Sequence, residues 1–403
     1  MDLRFLTRNT IYTLEITMQK LYNIFGDDMN LKFNNGKFRI MQIADTQDTN
    51  KTAPATVEFI RYALKAVKPD LVVFTGDQIK GYGVNLAMGD RKKNVACAIN
   101  NLLKPLDEAR VPFTFVFGNH DDTSFSISKQ EQFEIYKSHA NCLAFNADDS
   151  IDGYCNHNLE IFGEDGKTKL NVYLIDSLSM SAGGSCAHVS ENQLDWYRKT
   201  RDSLKERYGD YVPSIVFQHI PVPEIYELLK EVPRGTKGSA KGYRKYNGKY
   251  FALNPETTVI DDRSFIGETP SVPDINGGEF DALHEKGDVF GAFFGHDHNN
   301  SFVGEYKGIK MGYCQGCGFN IYGPAKNRGV RIYDFNEENP ADFETSTLTV
   351  ADIENFDVGN RLKYAAYTYA PSSVDSVKPY IKGGAVVAAA AAVGGILIKF
   401  LMK

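Results

Sequence analysis

The chain has 403 residues, 42% apolar and 24% charged, which is the composition of a globular protein with one large α/β domain or two ordinary ones. Its net charge of −6 argues against non-specific nucleic-acid binding, although a nucleotide or another phosphorylated substrate remains compatible with it. Six cysteines are too few for a disulfide framework and predict reduced thiols in a cytosolic setting. Cys314 and Cys317 have C-x-x-C spacing without a second pair, so we expect a glycine-rich turn there.

Strands and helices alternate through the first half of the chain. Short apolar runs at 38–44, 71–75 and 113–117 predict buried strands. Apolar residues at helical spacing predict helices over 52–67 and 91–109, and a serine cap predicts another over 128–139.

The second half adds paired strands and a hairpin. We expect strands at 156–162 and 170–175, a helix at 190–208, strands at 214–218 and 289–294, and a hairpin of 303–306 with 309–313. Strands at 330–335 and 344–350 complete the pattern. Buried strands with helices between them, followed by hairpins, predict an α/β fold: a four-layer α/β/β/α sandwich of two mixed sheets flanked by helices.

The termini lie outside this pattern. We assign residues 1–35 to an N-terminal leader without a secretory signal, 36–350 to the catalytic domain, 351–382 to a linker and 383–403 to a C-terminal membrane tail. Residues 383–398 carry no charge and are flanked by lysines. As a helix they would span about 24 Å, short of the ~30 Å hydrocarbon core, a gap that snorkelling and bilayer thinning could close. A buried or oligomer-forming helix and a loosely ordered tail are the alternatives; an anchor would keep the domain in the cytosol.

Metal-ligating residue types follow one predicted strand after another. In chain order they are Asp45 and Gln47, Asp77, Asn119-His120-Asp121, His219, and His296-Asp297-His298. Nothing in folding requires such a series, because an ordinary strand end would use Gly, Asn or Ser. Carboxylate, amide and imidazole groups together suit Mn, Fe or Zn, and loops at the carboxyl ends of strands converge in α/β folds. The series therefore predicts a site for two metal ions.

The ordered motifs resemble those of the calcineurin-like metallophosphoesterases, whose pattern is D-x-H, G-D, G-N-H-[DE], a lone His and G-H-x-H. Four of these five blocks match fully, at Gly76-Asp77, Gly118-Asn119-His120-Asp121, His219 and Gly295-His296-Asp297-His298. The long insert and the opening before Asp45 look most like the purple-acid-phosphatase-related branch. That branch places a tyrosine ligand just after the G-D block, where this chain has Gln78, Ile79 and Lys80, so a purple Fe(III) centre is not implied.

The resemblance implies a role for each matching residue. Asp77 would bridge two divalent metal ions. Metal one would take Asp45, Asp77, His298 and the residue at 47, and metal two would take Asp77, Asn119, His219 and His296. His120 would sit over the substrate phosphate, beside Asn119, and support or protonate the leaving oxygen. Asp121 would orient the His120 ring.

Gln47 departs from the family, which has histidine at this position. Its amide oxygen can still ligate, although more weakly than imidazole, which favours Mn²⁺ or Mg²⁺ over Zn²⁺ at metal one; alternatively a water replaces it. The expected activity is a phosphomonoesterase that uses a metal-bridging hydroxide. The alternatives are a phosphodiesterase for nucleotides or lipid headgroups, and a metal-binding scaffold without turnover. The expected partners are a phosphorylated substrate and, through the tail, a membrane.

Three further features lie outside the pattern. The basic segment 234–249 predicts a flexible, solvated loop that could guide an anionic substrate. The glycine-rich stretch 315–323 predicts ordinary turns, with a close approach to the site as the alternative. Asp176 follows another predicted strand, and we expect it to form a turn or a substrate-side hydrogen bond. We expect the four remaining histidines to lie at the surface or to support the site: His139, His157, His188 and His284.

Overall fold

The computed structural model describes residues 31–123, 125–181 and 183–369. Its strands are β1 (Lys37–Ile43), β2 (Leu71–Thr75), β3 (Phe113–Val116), β4 (His157–Phe162), β5 (Thr168–Ile175), β6 (Ser214–Gln218), β7 (Leu229–Glu231), β8 (Ala240–Lys241), β9 (Tyr250–Leu253), β10 (Thr258–Val259), β11 (Phe265–Ile266), β12 (Val289–Phe294), β13 (Asn300–Ser301), β14 (Val303–Tyr306), β15 (Ile309–Tyr313), β16 (Gly329–Asn336) and β17 (Glu344–Thr349). The α-helices are α1 (Pro54–Val67), α2 (Val84–Ala87), α3 (Arg91–Ala109), α4 (Lys129–Lys137), α5 (Glu191–Tyr208), α6 (Glu279–His284) and α7 (Arg361–Tyr369). Every strand and helix expected from the sequence is present, and no end differs from the expected one by more than two residues.

Two large mixed sheets form the frame of the domain. The first has the order β17-β16-β1-β2-β3, with β1, β2 and β3 parallel and β16 and β17 antiparallel to their neighbours. The second has the order β10-β14-β15-β12-β6-β5-β4, in which β15, β12, β6 and β5 are parallel. The hairpin β14–β15 pairs Tyr306 with Ile309 across Lys307 and Gly308, as expected. Both sheets therefore bring several carboxyl strand ends to one edge.

Three apolar cores separate four layers. Strand alternation sends Ile40 of β1 into a core between the two sheets, where it joins Phe217 of β6, and sends Met41 to the other face. That outer face packs against α1 and α3 through residues such as Phe59. The outer face of the second sheet packs against α5 and α6, with Tyr197 in the core. The predicted α/β/β/α sandwich is confirmed.

Helix α4 shows how the sequence sets a helix boundary. The Ser128 side chain accepts a hydrogen bond from the Glu131 backbone N–H at 3.2 Å, and the Glu131 carboxylate accepts one from the Ser128 N–H at 3.1 Å. This capping box satisfies two N–H groups at the helix start and contributes about 1 kcal/mol. The serine cap inferred from the sequence is confirmed.

The basic segment 234–249 is not a free loop. β8 and β9 belong to a three-stranded sheet with β7. Tyr246 stacks on Tyr226 with 4.0 Å between ring centroids, and Arg244 pairs with Asp274 at 2.7 Å. The expectation of a flexible, purely solvated loop is therefore wrong, because aromatic packing and strand pairing hold the segment on the second core.

The domain extends beyond both ends assigned from the sequence. Leu31 and Phe33 are buried in the core between the sheets, although we placed them in the leader. Tyr364 of α7 is buried in the first core, although we placed it in a linker. The predicted membrane tail, residues 383–403, lies outside the described residues, as does most of the leader. Within the described residues, no helix has the length and apolar character needed to span a membrane.

Candidate metal centre

Carboxyl strand ends from both sheets meet at one place. Asp45, Asp77 and Asn119 follow β1, β2 and β3 of the first sheet, and His219 and the pair His296 and His298 follow β6 and β12 of the second. Two hydrogen bonds join the two sets. The His296 backbone N–H donates to Asp45 Oδ2 at 3.0 Å, and the His219 ring nitrogen Nδ1 lies 2.9 Å from the Thr75 carbonyl oxygen. The convergence predicted from the sequence is thus present in the fold.

Two groups of ligand atoms share the Asp77 carboxylate. One consists of Asp45, Asp77 and His298, the other of Asp77, His219 and His296, and within each group the ligand atoms lie within 4.8 Å of one another. His298 Nε2 is 3.4 Å from Asp45 Oδ1, and His219 Nε2 is 3.3 Å from Asp77 Oδ1. Asn119 Oδ1 lies 3.1 Å from His219 Nε2, which places the amide oxygen in the second group.

The other ring nitrogens of two histidines are held by backbone carbonyls. His219 Nδ1–H donates to Thr75 O at 2.9 Å, and His298 Nδ1–H donates to Tyr322 O at 2.8 Å. In the neutral rings these bonds set the tautomer, so that each Nε2 would present its lone pair to the shared centre. Such carbonyl-held histidines are the usual arrangement around protein-bound metals.

The polar atoms fit cations at this centre. Asp45 Oδ1 is buried, accepts no hydrogen bond and faces the electron-pair-donating nitrogen His298 Nε2. His296 Nδ1 faces His219 Nε2 at 3.2 Å, which again brings two lone pairs together. Acceptors that face one another repel unless a proton or a cation lies between them. The donor set therefore suits a divalent ion in each group.

Without a cation, the raised pKa values of His219 and His298 favour a proton on each of these rings. Burial lowers the pKa of His219, but the Asp77 carboxylate overrides it and raises that pKa to about 10. Burial likewise opposes the charged form of His298, whose pKa the Asp45 carboxylate nevertheless raises. Burial raises the pKa of Asp77, yet the His219 and His120 charges hold it below its ordinary value. A metal ion would displace these protons, because it binds neutral imidazole and ionised carboxylate.

The backbone at the centre adopts left-handed conformations that non-glycine residues rarely take. Asp45, Gln47, Asp77 and His296 have φ values of 54°, 36°, 55° and 73°. Each costs on the order of 1 kcal/mol, and such residues cluster at functional sites. Gly76, at φ +87°, has no alternative, because a Cβ there would lie 2.5 Å from His219 Nδ1.

Gln47 contacts the Asp45, Asp77 and His298 group, but through its amide nitrogen. Its Nε2 donates to Asp77 Oδ2 at 2.7 Å and lies 3.2 Å from His298 Nε2. Its Oε1 accepts a hydrogen bond from the Tyr82 hydroxyl at 3.1 Å. In this orientation the amide donates a hydrogen bond to the shared Asp77 carboxylate, and ligation through oxygen would require a half-turn of the amide.

His120 lies next to the Asp77 carboxylate that the two ligand groups share. Its side chain is 36% exposed, its Nε2 is 3.9 Å from Asp77 Oδ2, and its ring lies 4.7 Å from the Tyr82 ring. Its backbone N–H donates to Asp77 Oδ1 at 2.8 Å. Burial lowers the pKa of the ring, and the Asp77 charge only partly offsets this.

Asp121 has different partners from those that the resemblance implied. One carboxylate oxygen accepts hydrogen bonds from the backbone N–H groups of Asp77 and Gly118, each at 2.8 Å. The other oxygen accepts one from the Ile79 N–H at 3.0 Å. The carboxylate thus fixes the turns that carry Asp77 and Asn119. A role in orienting the His120 ring is not supported by this geometry.

Comparison with known proteins identifies the family. Residues 38–300 match the model of the calcineurin-like phosphoesterases. The chain belongs to this family. An Arabidopsis thaliana relative called "Probable inactive purple acid phosphatase 14" is 30% identical over 343 residues, 75% of this chain and 77% of the relative. Another from that plant, "Probable inactive purple acid phosphatase 29", is 29% identical over 341 residues, 75% of this chain and 78% of the relative. "Phosphatase DCR2" of Saccharomyces cerevisiae is 27% identical over 336 residues, 75% of this chain and 52% of its own length.

The glycine-rich stretch 315–323 approaches the metal centre of this phosphoesterase. Gly316 N–H donates to the His298 carbonyl at 3.0 Å, and Gly318 N–H donates to the Asp45 carbonyl at 3.2 Å. A Cβ at Gly318 would lie 2.0 Å from the Thr46 backbone carbonyl oxygen, so only glycine fits here. The alternative to ordinary turns, a close approach to the site, is what the structure shows.

Two supporting residues were not foreseen from the sequence. Tyr322 acts through its carbonyl and through its ring, which stacks on His298 with 4.2 Å between centroids. Arg328 is fully buried and donates to the carbonyls of Gly318 and, at 2.8 Å, Ile321. Burial lowers its pKa to about 10. The glycines marked the loop, but neither a carbonyl contact nor a buried arginine leaves a periodic signal in sequence.

The remaining sequence candidates lie away from the two ligand groups. Asp176 is buried and pairs with Lys129 Nζ at 2.7 Å, so it holds a turn rather than facing the ligands. His157 is buried and lies 2.6 Å from the Thr114 hydroxyl, and His139 pairs with Asp107 at 2.8 Å. The C-x-x-C cysteines are free, buried thiols.

Proposed function

We propose that this phosphoesterase is a dinuclear metal-dependent phosphohydrolase that acts on phosphomonoesters. The observation that carries the proposal is the pair of ligand groups that share Asp77. Asp45, Asp77, His298 and position 47 would hold one ion, and Asp77, Asn119, His219 and His296 the other. Two divalent cations would neutralise phosphate charge and lower the pKa of water towards neutrality. Mn²⁺ is the proposed ion, because the set combines oxygen and nitrogen ligands, with Fe, Zn and Mg as alternatives.

His120 is the proposed residue for leaving-group departure. Its ring is partly exposed, while Asp77 and His219 beside it are buried. A substrate phosphate over Asp77 would place its ester oxygen beside this ring. The ring would stabilise the phosphate charge or transfer a proton to the departing alkoxide, which accelerates reactions by about 10²–10⁴-fold.

Gln47 is the feature that favours a scaffold without turnover. Two relatives carry the word inactive in their names, which concerns those proteins. In this chain the other ligand positions converge, and Gln47 still contacts both Asp77 and His298. We therefore propose activity, with metal one held more weakly than metal two.

Hydrolysis of two model esters tests the proposal. Purified protein with Mn²⁺ should hydrolyse p-nitrophenyl phosphate faster than bis(p-nitrophenyl) phosphate, and a chelator should abolish both activities. Asp77→Asn, which removes the bridging charge, is the matched negative control. A faster reaction with the diester would identify a phosphodiesterase. Turnover of neither ester with any divalent ion would favour the scaffold.

We also propose that the C-terminal run at 383–398 anchors the protein to a membrane, with the catalytic domain in the cytosol. The support is its lack of charge and its flanking lysines. Full-length protein should stay with membranes after an alkaline carbonate wash, and a chain ending at residue 382 should not. Release of both by the wash would contradict the proposal.

A further inference from the structure

Two lysine ammonium groups converge on Asn320, in the loop whose Tyr322 carbonyl holds His298. Lys80 follows β2, and Lys363 lies on α7, outside the part of the chain that matches the family model. Both donate to one residue: Lys80 Nζ to the Asn320 backbone oxygen at 3.3 Å, and Lys363 Nζ to the Asn320 side-chain oxygen. They also lie 5.2 Å and 5.8 Å from the centroid of the Tyr367 ring. Helix α7 therefore adds a second positive charge to one that the catalytic loops already provide.

The two positive charges have no acidic partner of their own. Within the described residues, neither ammonium forms an ion pair. Asp48, the carboxylate whose charge acts on Lys80, is buried and already accepts hydrogen bonds from the Asn320 amide and from the Ala53 N–H, the latter at 3.1 Å. Burial and the charge of Lys363 lower the pKa of Lys80. A bound anion would relieve this like-charge repulsion.

The lysine pair lies within reach of a substrate bound at the metals. The Lys80 ammonium is 5.3 Å from the Tyr82 ring centroid, and the Tyr82 ring is 4.7 Å from the His120 ring. Tyr82 is 38% exposed, Lys80 is half-buried and Lys363 is exposed, so a ligand in solvent can contact each of these side chains. Asn320 also belongs to the loop whose Tyr322 carbonyl holds His298.

We propose that Lys80 and Lys363 form a subsite for a second phosphate group, so that the preferred substrates are small phosphomonoesters that carry a further phosphate. The inference rests on the proposed function, because the first phosphate would occupy the metal centre. A phosphate carries almost two negative charges at neutral pH, which matches two ammonium groups better than a carboxylate does. Each lysine keeps two N–H donors free of Asn320 for the phosphate oxygens.

Matched substrates and variants test the subsite. We would compare kcat/KM for hexanediol bisphosphate with that for hexyl phosphate in Mn²⁺-loaded protein. The wild type should prefer the bisphosphate, and the double variant Lys80→Met with Lys363→Met should lower this preference about tenfold, chiefly through KM. The Lys→Arg counterparts should keep it, because they retain charge. Lys104→Met, which removes an exposed lysine on α3, should change neither rate.

The ratio of the two rates separates a phosphate subsite from a structural role or a regulatory site. A merely structural role for the lysines would lower kcat/KM of both substrates by one factor and leave their ratio unchanged, which would overturn the proposal. Stimulation of hexyl phosphate turnover by free phosphate, without a preference for the bisphosphate, would indicate a regulatory anion and would also overturn it. If neither substrate is hydrolysed, the proposed function fails. Calorimetric binding of hexanediol bisphosphate, weakened in the double variant, would then still support the subsite, and equal affinity would refute it.

Discussion

Replacing Gln47 by histidine should increase the affinity of the metal-one site for its ion. The amide nitrogen lies 2.7 Å from Asp77 Oδ2 and 3.2 Å from His298 Nε2, so a side chain at this position reaches the metal-one ligands. An imidazole nitrogen would offer a lone pair to the ion, whereas the Gln47 amide turns its N–H donors towards the centre. Substitution of a residue that only orients a ligand changes metal affinity by about 10–100-fold. We therefore expect Mn²⁺ to bind at the metal-one site at least about tenfold more tightly.

The same change should destabilise the metal-free protein. It removes the hydrogen bond to a buried carboxylate and the one from the Tyr82 hydroxyl. Hydrogen bonds to charged groups contribute roughly 1.5–3 kcal/mol, so the free energy of unfolding without metal should fall by about that amount. A tenfold gain in affinity returns about 1.4 kcal/mol at saturating Mn²⁺. The increase in Tm on addition of Mn²⁺ should therefore be larger in Gln47→His than in the wild type.

Calorimetric titration with Mn²⁺ measures the effect, with Gln47→Leu as the matched control. Leucine removes the same hydrogen bonds and adds no ligand, so its metal-one Kd should not be lower than that of the wild type. If Gln47→His and Gln47→Leu give the same Kd for the weaker ion, position 47 does not ligate and the assignment of metal one is wrong.

Three further predictions concern the role of His120, the pH dependence of metal binding and the stability of the folded chain. His120→Asn should lower kcat about 100-fold for hexyl phosphate but about tenfold or less for p-nitrophenyl phosphate, whose leaving group needs no proton; equal losses would exclude an acid role. Mn²⁺ affinity should fall as pH drops from 8 to 6, because an ion must displace a proton from His219. Burial lowers the pKa of His219, but the Asp77 charge outweighs burial and raises that pKa to about 10. A Mn²⁺ affinity that calorimetry finds independent of pH would contradict this. Burial raises the pKa of Glu279 from 4.5 to about 8, so between these values the folded state keeps a proton that the unfolded state releases, and stability falls as pH rises. Glu279→Gln should therefore be more stable than the wild type at pH 9 by at least about 1 kcal/mol in urea unfolding and nearly equal at pH 4; an equal difference at both pH values would contradict the raised pKa of Glu279.

Much of the fold could be predicted because short-range patterns specify it. Apolar runs such as 71–75 coincide with β2, and Ser128 caps α4 as expected. The convergence of Asp45, Asp77 and His219 also follows from sequence, because parallel strands place their carboxyl ends at one edge. These features depend on local periodicity and on a general rule of topology.

What could not be predicted depends on contacts between distant segments. The partners of Asp121 are backbone N–H groups, and Tyr322 acts on His298 through its carbonyl, so neither contact is encoded in a residue type. Helix α7 is short, and the burial of Tyr364 together with the contacts of Lys363 and Tyr367 shows that it belongs to the domain. The orientation of the Gln47 amide is set by Tyr82, a residue whose role required the folded chain.

Anomalous scattering from crystals grown with Mn²⁺ tests most directly whether Asp77 bridges two ions. We expect two peaks about 3.5–4 Å apart, one on each side of the Asp77 carboxylate, with His298 bound to one ion and His219 to the other. The weaker peak should lie beside Gln47. A saturated crystal without peaks at Asp77, or with a single ion that Asp77 does not contact, would contradict the dinuclear centre.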